Sequence, residues 1–321
     1  MVEPTKLDLK DRKILFELDR DARQSNSEIA KKVGLNKNTV NYKITKMIED
    51  GVIAGYYTIV DSSKLGYFSV RVYAKFFNTN EKKEKEIFDW LKKNKFVGVV
   101  NKIDTNYDIG FMAYAKDIYE WEDVLNEFKA KFREYIWQER VDIFCRVYHY
   151  QRNYLSDSKE KFREFQTIGG KELEKADELD LKILSILAKN ARMPIVEIAE
   201  KLKADDRTIA FRIKQLEKKK IIQGYRVSLN LAKIGYEYYK LNFKLNDCSN
   251  YKSLFDFCKN HKNVIYIDQT LGDLDFEIDV EVEGRQGLFE LINEIKKNFP
   301  IRDVEILNFK EYLKLETIPE F

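Results

Sequence analysis

The sequence has few of the residues that build metal sites and disulfide frameworks. It contains three cysteines and two histidines among 321 residues. Cys145, Cys248 and Cys258 form no Cys-x-x-Cys pair, and neither His149 nor His261 has a second histidine or a cysteine beside it. A small, odd number of cysteines argues against a disulfide framework, and the spacing argues against a zinc site. We therefore expect buried free thiols, no metal and no cofactor.

Long hydrophobic runs and an excess of one charge are also missing. Residues 1–6 are polar, unlike a secretory signal, and no stretch approaches the roughly 20 apolar residues of a membrane span. The 57 basic and 54 acidic side chains leave a net charge of only +3, so any basic surface that meets nucleic acid must be local. We expect a soluble, cytoplasmic protein with no membrane segment. The 35% of charged residues, rich in Lys and Glu, is typical of a heat-adapted, archaeal-like source, and genomic base composition gives the same bias.

What the sequence does contain is a long internal repeat. Asp11–Leu15 reads DRKIL, and 169 positions further on Asp180–Leu184 reads DLKIL. The same separation relates several more short matches: Ala22-Arg23 with Ala191-Arg192, Glu28–Ala30 with Glu197–Ala199, Thr39-Val40 with Thr208-Ile209, and Gly55-Tyr56 with Gly224-Tyr225. Chance does not keep one register over such a length. The chain is therefore predicted to be one module of about half its length, present twice.

The front of the first copy has the pattern of a helix-turn-helix motif. Asp11–Arg20 places its apolar residues on one helical face. Ser25 and Glu28 have the spacing of a capping box, Gly34 can end the second helix in a left-handed conformation, and Asn36 can cap a third helix. Two helices joined by a short turn with a glycine define the motif, and the second of them enters the major groove of DNA.

The outward-facing side of this recognition helix is polar and basic. The residues predicted to face DNA are Lys37, Asn38, Thr39, Asn41, Tyr42, Lys43, Thr45 and Lys46. Lys suits guanine and Asn suits adenine, whereas Lys43 and Lys46 are expected to reach phosphates. A single motif also fits a small helical bundle with a solvated polar face. Two copies at a constant separation favour DNA binding.

The second copy departs from the first in its turn and in its charges. Lys203 stands where the first copy has Gly34, so the turn lacks an easy left-handed residue. Asp205 and Asp206 suit a helix N-terminus but are repelled by DNA phosphates. The residues predicted to face DNA here are Arg207, Thr208, Phe211, Arg212, Lys214 and Gln215. We expect this copy to read another sequence, to contact mainly the DNA backbone, or to be structural.

The rear of each copy alternates strands and helices. In the first copy, helices are expected over Lys82–Lys93 and Trp121–Phe132. Strands are expected near Tyr67–Ala74, Val97–Ile103, Tyr107–Tyr114 and Val141–Tyr148. This βαββαβ order is that of a ferredoxin-like domain. One sheet face of such a domain is not covered by helices, so we expect the sheets to pair, within one chain as a pseudo-dimer or between chains as a homodimer.

The predicted fold class is therefore α+β, with two copies of a winged or helix-turn-helix domain followed by a ferredoxin-like domain. We name the helix-turn-helix domains the first head (7–56) and the second head (177–225). The ferredoxin-like domains are the first rear domain (65–150) and the second rear domain (235–316). A linker (151–176) separates the copies, and its Lys159–Phe165 stretch is expected to be partly helical.

These features resemble the Lrp/AsnC family, the feast/famine regulators. The resemblance is carried by Ala22-Arg23 followed by Glu28–Ala30, by Thr39-Val40 in the recognition helix, by the Gly51–Tyr56 exit and by the βαββαβ order. It covers nearly the whole chain, twice. It implies transcriptional regulation, pairing of rear domains through their sheets, and in some members a small effector, often an amino acid, bound where rear domains meet.

The resemblance also implies a Gly-x-x-Asp turn near the effector and assembly surface. The second copy keeps this turn over residues 272–275, while the first copy lacks its glycine at residues 105–108. The candidate effector or assembly residues are Asp104, Asn106, Asp108, Asp268, Gly272, Asp273 and Asp275. The same residues fit ordinary polar turns.

Two other functions stay open. Siroheme-type tetrapyrrole decarboxylases are similar to this family and have His and Arg between the middle strands. The corresponding Val99–Asp104 and Ile265–Gln269 contain no histidine, and no catalytic set stands out elsewhere, so we do not expect an enzyme. The other alternative is an effector-binding or assembly protein that does not bind DNA. Asp205-Asp206 favours it for the second copy, and the basic Lys37–Lys46 helix opposes it for the first.

Overall fold

The computed structural model describes residues 4–156, 163, 165–316 and 318–319, and it confirms the predicted fold class. Each half of the described chain runs through three helices and a strand, then through the order βαββαβ. The first half contains α1 (Leu9–Arg20), α2 (Asn26–Val33), α3 (Lys37–Glu49), β1 (Ile53–Val60), β2 (Phe68–Phe76), α4 (Glu81–Lys93), β3 (Val97–Ile103), β4 (Ile109–Ala115), α5 (Ile118–Phe132), β5 (Ile136–Tyr150) and the short β6 (Phe165–Ile168). The second half contains α6 (Glu178–Lys189), α7 (Ile195–Leu202), α8 (Asp206–Lys218), β7 (Ile222–Leu229), β8 (Glu237–Leu245), α9 (Tyr251–Asn260), β9 (Val264–Leu271), β10 (Phe276–Val282), α10 (Gly284–Asn298) and β11 (Ile301–Leu315).

The helix ends follow the capping residues of the sequence. The predicted capping box is present at α2, where the Ser25 hydroxyl accepts from the Glu28 N–H and the Glu28 carboxylate accepts from the Ser25 N–H. Gly34 ends α2 in the left-handed region at φ 66°. Lys203 takes the same conformation at φ 52°. The second head thus keeps the turn without glycine, at a cost of about 1–2 kcal/mol in backbone strain.

The two heads share a small sheet. Strand β1 pairs with β7 in an antiparallel arrangement, and Tyr57 lies directly opposite Arg226. These two residues occupy equivalent positions, 169 apart in the repeat. A pseudo-two-fold axis therefore passes through the middle of the pair, and the heads are related by a rotation of about half a turn. The wing strands that make this contact were not predicted as strands from the sequence.

The two rear domains close into one barrel. Within the first, the strands lie in the order β3-β4-β2-β5, and within the second in the order β9-β10-β8-β11. Strand β5 then pairs with β9, and β11 pairs with β3. Eight strands thus form a closed ring, with the four longer helices of the rear domains packed on its outer surface. The expectation of pairing between sheet faces was incomplete, because the sheets also join edge to edge.

Long strands make this closure possible. The sequence placed the last strand of the first copy at Val141–Tyr148, but β5 is 15 residues long. Its first half pairs with β2 up to Ile143, and its second half pairs with β9 from the same residue onward. Strand β11 is divided between β8 and β3 in the same way. Free sheet edges are sites of unwanted association, and the ring removes most of them.

The cysteines differ from expectation, and the expected helical stretch of the linker is mostly untested. Most of Lys159–Phe165 lies outside the described residues, and Phe165 itself begins a strand, β6, on the edge of β5. The three thiols are free, but only Cys258 is buried. Cys145 is exposed because it lies at a break in the β5–β9 register. Across the described ranges, no helix is both long and apolar enough to cross a membrane.

Charged side chains fill part of the interior of the barrel. Lys240 is fully buried, and its Nζ lies 2.6 Å from Asp268, 3.0 Å from Glu277 and 3.7 Å from Asp279. Arg71, the equivalent residue of the first copy, also reaches Asp268, at 3.4 Å. Burial raises the pKa of Asp279 to about 7, with Lys240 opposing the shift and Asp268 adding to it. A buried carboxylate whose negative charge is not fully balanced by a neighbouring cation lowers the stability of the fold.

This burial predicts a pH dependence of stability. Because the pKa of Asp279 is higher in the folded chain than its ordinary value of 3.8, the folded state binds more protons between these two values, and stability falls as pH rises through them. Replacing Asp279 by Asn removes this component. We compare the free energy of unfolding of D279N with that of wild type by denaturant unfolding. The difference in favour of D279N should grow by about 1–3 kcal/mol as the pH rises from 5 to 8. D104N, at an exposed ion pair, is the control; a pH-independent difference for D279N contradicts the prediction.

Candidate nucleic-acid interface

Each recognition helix has one buried side and one open side. In α3, Val40, Ile44 and Met47 are buried against the rest of the first head. The predicted DNA-facing residues lie on the other side, where Lys37, Asn38, Asn41, Tyr42, Thr45 and Lys46 are exposed and Thr39 and Lys43 are partly buried. In α8, Arg207, Thr208, Phe211 and Lys214 are exposed, and Arg212 and Gln215 are partly buried. The two helices thus present most of the predicted residues to solvent.

Lys43 is held by its own head. Its Nζ lies 2.8 Å from Asp8 and 2.9 Å from Asp11, at the start of α1. The hydrogen bond from Lys43 holds the pKa of the Asp8 carboxyl below its usual value. This pair ties the recognition helix to the first helix of the motif. The Lys43 ammonium is already paired with two carboxylates. Its contact with a DNA phosphate stays a prediction.

The second head repeats this ion pair with a different cation. Arg212 lies 2.5 Å from Asp177 and 3.3 Å from Asp180. Each of these three residues stands 169 positions after its counterpart in the first head. The motif therefore has a built-in clamp between its first and third helices. Sequence reasoning missed it because Asp8 and Asp177 lie outside the predicted helices.

The heads also hold each other through equivalent contacts. The Ala22 N–H donates to the Tyr225 carbonyl at 2.9 Å, and the Ala191 N–H donates to the Tyr56 carbonyl at 3.1 Å. The neighbouring Arg23 and Arg192 lie over the rings of the same two tyrosines. The repeated Ala-Arg motif is thus a contact between heads. Its place in the sequence did not reveal this role.

One of these arginines reaches the recognition surface of the other head. Arg192 donates to the Asn26 side chain at 3.1 Å, and Asn26 in turn donates to Asn41 at 3.0 Å. Asn41 is a predicted DNA-facing residue of α3. The second copy therefore orients a side chain on the predicted DNA-facing surface of the first.

The predicted effector residues do not form one site. Asp108 accepts from the Phe76 N–H at 2.7 Å, and Asp275 accepts from the Leu245 N–H at 2.8 Å. Both aspartates thus fasten a turn to the end of a neighbouring strand. Gly272 leaves room for Asp142, because a Cβ at that glycine would lie 2.2 Å from a carboxylate oxygen. Asp273 is exposed on the same turn.

The remaining three members of that set bridge the two halves. Asp104 lies 2.6 Å from Lys310 at the surface, and Asn106 donates to Glu305 at 3.1 Å. Asp268 is buried between Lys240 and Arg71, as described above. These contacts join opposite halves of the barrel. They fit the assembly interpretation better than a shared effector site.

A cleft between the wing strands β1 and β7 and the barrel was not predicted. Its volume is about 510 Å³. Its lining includes Tyr57, His149, Arg152, Tyr236, Tyr266 and Lys310. The His149 ring packs edge-on against Tyr266 of β9, at 4.5 Å between centroids. The middle strands thus do meet a histidine, which comes from the end of β5. Burial lowers the pKa of His149 well below its usual value, so this imidazole is neutral near pH 7.

The cationic side chains of the cleft already have anionic partners. Arg152 binds Asp19 at 2.5 Å and Glu281 at 2.8 Å. Lys310 pairs with Asp104. In the part of the chain that the structure describes, no group of three or more His, Cys, Asp and Glu side chains is arranged to hold a metal ion.

Comparison with known proteins matches both heads and, separately, the whole architecture. The family model for winged helix-turn-helix DNA-binding domains matches residues 7–54 and 177–223. The regulator LrpA of Pyrococcus horikoshii is 48% identical over 60 residues, which are 19% of this chain and 43% of LrpA. The chain therefore spans less than half the length of that relative. An uncharacterised HTH-type transcriptional regulator of Pyrococcus furiosus is 32% identical over 119 residues, 37% of this chain and 79% of that protein.

A solved structure resembles the full chain. The siroheme decarboxylase NirDL superposes with a TM-score of 0.64 and 16% sequence identity, covering 97% of this chain and 94% of that chain. At this identity the likeness is one of fold. It extends the match from the heads to the paired rear domains.

The clamp in the first head predicts separate effects for two neighbouring lysines. Replacing Lys43 by Gln leaves Asp8 and Asp11 without their cation, so we expect the free energy of unfolding to fall by roughly 0.5–1 kcal/mol at low salt, less at high salt. Lys46→Gln, at an exposed position of the same helix, is the matched control and should leave stability unchanged. Thermal or denaturant unfolding measures both. Equal stability of the two variants would show that the clamp contributes nothing.

Proposed function

Because the chain belongs to the Lrp/AsnC family of helix-turn-helix regulators, we propose that it is a sequence-specific, double-stranded-DNA-binding transcriptional regulator. The observation that carries the proposal is the exposed polar side of α3, presented by a head whose orientation is set by the β1–β7 pairing. Lys37, Asn38 and Asn41 lie at the start of this helix, the part that meets base edges in such motifs. Lys46 is the exposed cation for a phosphate.

The second head has a different surface on the same scaffold. Asp205 caps α8 by accepting from the N–H groups of Arg207 and Thr208, so one carboxylate has a structural role. Asp206 remains exposed at the helix start. Arg207 and Lys214 supply the exposed positive charge. We propose that this head contacts DNA with a preference unlike that of the first head.

The arrangement of the heads favours a bipartite operator. A pseudo-two-fold axis relates the two recognition helices, so their half-sites would run in opposite directions, about one helical turn (roughly 10 base pairs) or a multiple apart. Because the two surfaces differ, the half-sites would differ in sequence. One chain supplies both heads, so this operator needs no second copy of the protein.

The DNA-binding proposal is tested by selection of bound DNA with the intact chain, followed by fluorescence anisotropy at fixed salt. We expect Asn38→Ala to reduce the preference for the selected operator over a single-base variant by about 5- to 100-fold, because a base-reading contact is lost. Lys46→Gln should weaken binding to all sequences alike and reduce the salt dependence. Asn298→Ala, an exposed position on α10, is the control and should bind as wild type. Failure of the intact chain to enrich any sequence would refute the proposal.

The cleft supports a role for a small effector. It lies between the wing strands and the barrel, so a bound molecule there would contact both Leu229 of the wing and Tyr266 of the barrel. A ligand that binds one arrangement of these parts better than another shifts the balance between them. We propose this cleft, rather than the turns at Asp108 and Asp275, as the place for an effector.

A tetrapyrrole-acting enzyme is the second candidate, favoured by the full-length likeness to NirDL and by His149 in the cleft. The charges oppose it. Arg152 and Lys310 are paired with carboxylates, and Glu237 and Glu281 also line the cleft. Among the residues that the structure describes, the cleft therefore lacks unpaired cations to bind the acidic side chains of a uroporphyrin-type ring.

Absorbance titration separates the two candidates. With iron-uroporphyrin III as the probe, we expect no saturable shift of the porphyrin absorbance band, because a polyanion meets no unpaired cation in the cleft. His149→Ala should behave as wild type in the same titration. A one-to-one shift that His149→Ala removes would instead support the second candidate, and product formation would establish it.

A further inference from the structure

The recognition helices share one large side chain although most of their open surface has changed. Thr39 and Thr208 are identical, and Lys43 and Arg212 both carry a positive charge; five other outward-facing pairs have changed, namely Lys37 and Asp206, Asn38 and Arg207, Asn41 and Ala210, Thr45 and Lys214, and Lys46 and Gln215. Each of these five pairs differs in charge or in hydrogen-bonding groups. Tyr42 and Phe211, by contrast, both carry an aromatic ring, on the sixth residue of each helix. A contact made through the ring is therefore available to both heads.

These two rings lie in water. Tyr42 is 65% exposed and Phe211 is 59% exposed, while the core of each head is closed beneath them. Single exposed aromatic rings are ordinary on protein surfaces, but here a ring occupies the same position of both recognition helices, and aromatic rings are enriched at interfaces. The ring of Phe211 has no hydroxyl, so a contact that both side chains can make uses the ring itself.

The clamp gives both rings the same direction. Lys43 and Arg212 directly follow the two aromatic residues and are tied to α1 and α6. Successive residues project about 100° apart around an α-helix. Anchoring the residue next to each ring therefore sets the direction of that ring relative to the motif. The same geometry in both heads places the rings at equivalent points of the two half-sites.

The major groove offers one apolar group on the base edges of ordinary DNA, the C5 methyl of thymine. We infer that Tyr42 and Phe211 each contact a thymine methyl group, one in each half-site. The inference rests on the proposed DNA binding and deepens it. It gives the two unlike half-sites a common element, a thymine at the equivalent position on either side of the pseudo-two-fold axis. The hydroxyl of Tyr42 is not needed for this contact.

Deoxyuridine tests the contact, because it removes only the methyl group of thymine. Each thymine of the operator selected with the intact chain is replaced singly, and binding is measured by anisotropy at fixed salt. We expect one position in each half-site where the replacement weakens binding about fourfold, the value for one buried methyl group. Tyr42→Ser should abolish this sensitivity in one half-site, and Phe211→Ser should abolish it in the other. Tyr42→Phe should keep it.

Tyr119→Ser, which removes a ring that is 70% exposed on α5 outside the heads, is the matched control and should keep both sensitivities. An operator without thymine at equivalent positions, or a uracil effect that survives in both serine variants, overturns the inference while DNA binding stands. If the intact chain enriches no DNA sequence, the proposed function itself fails.

Discussion

Backbone hydrogen bonding between the two copies is the constraint on which the rest of the structure depends. Strand β5 leaves the first rear domain to pair with β9, and β11 leaves the second to pair with β3. The β1–β7 pair repeats this exchange at the heads. Strand edges that do not find a partner within the chain invite association, so each copy completes the other. The relation between the heads, the position of the cleft and the closed barrel all follow from these three pairings.

The scaffold is symmetric, but its charges are not. Arg71 and Lys240 occupy equivalent positions, yet the carboxylates that form ion pairs with them, Asp268, Glu277 and Asp279, all come from the second copy. Two identical rear domains would place like charges together in this space. Arg140 and Glu305 also place opposite charges at equivalent positions of the two copies. Each is the fifth residue of its long strand, and they pair at 2.6 Å. Buried charges of this kind favour pairing of unlike halves over pairing of like halves, because an uncompensated buried charge costs several kcal/mol.

The same asymmetry extends to the recognition surfaces. Arg192 of the second copy orients Asn26 and Asn41 of the first, and this contact has no reciprocal among the described hydrogen bonds from Arg23, which go to the backbone of Ala191 and Met193. Arg192 of the second copy thus holds polar side chains of the first head in place. The second head itself has Ala210 where the first has Asn41. Under the proposed function, this support lets one head read bases while the surface of the other changes.

The sequence by itself determined the elements and their repetition. Apolar periodicity, capping residues and a constant register of 169 positions are local signals, so they predicted both helix-turn-helix motifs, the βαββαβ order and the open side of each recognition helix. Only the tertiary structure decided how the copies meet. The strand exchange, the Lys43 and Arg212 clamps and the His149 cleft join residues that are distant along the chain, and no local pattern records such pairs. Lys203 is a further example. The tertiary structure holds this lysine in a left-handed turn, a conformation for which residue type alone favours glycine.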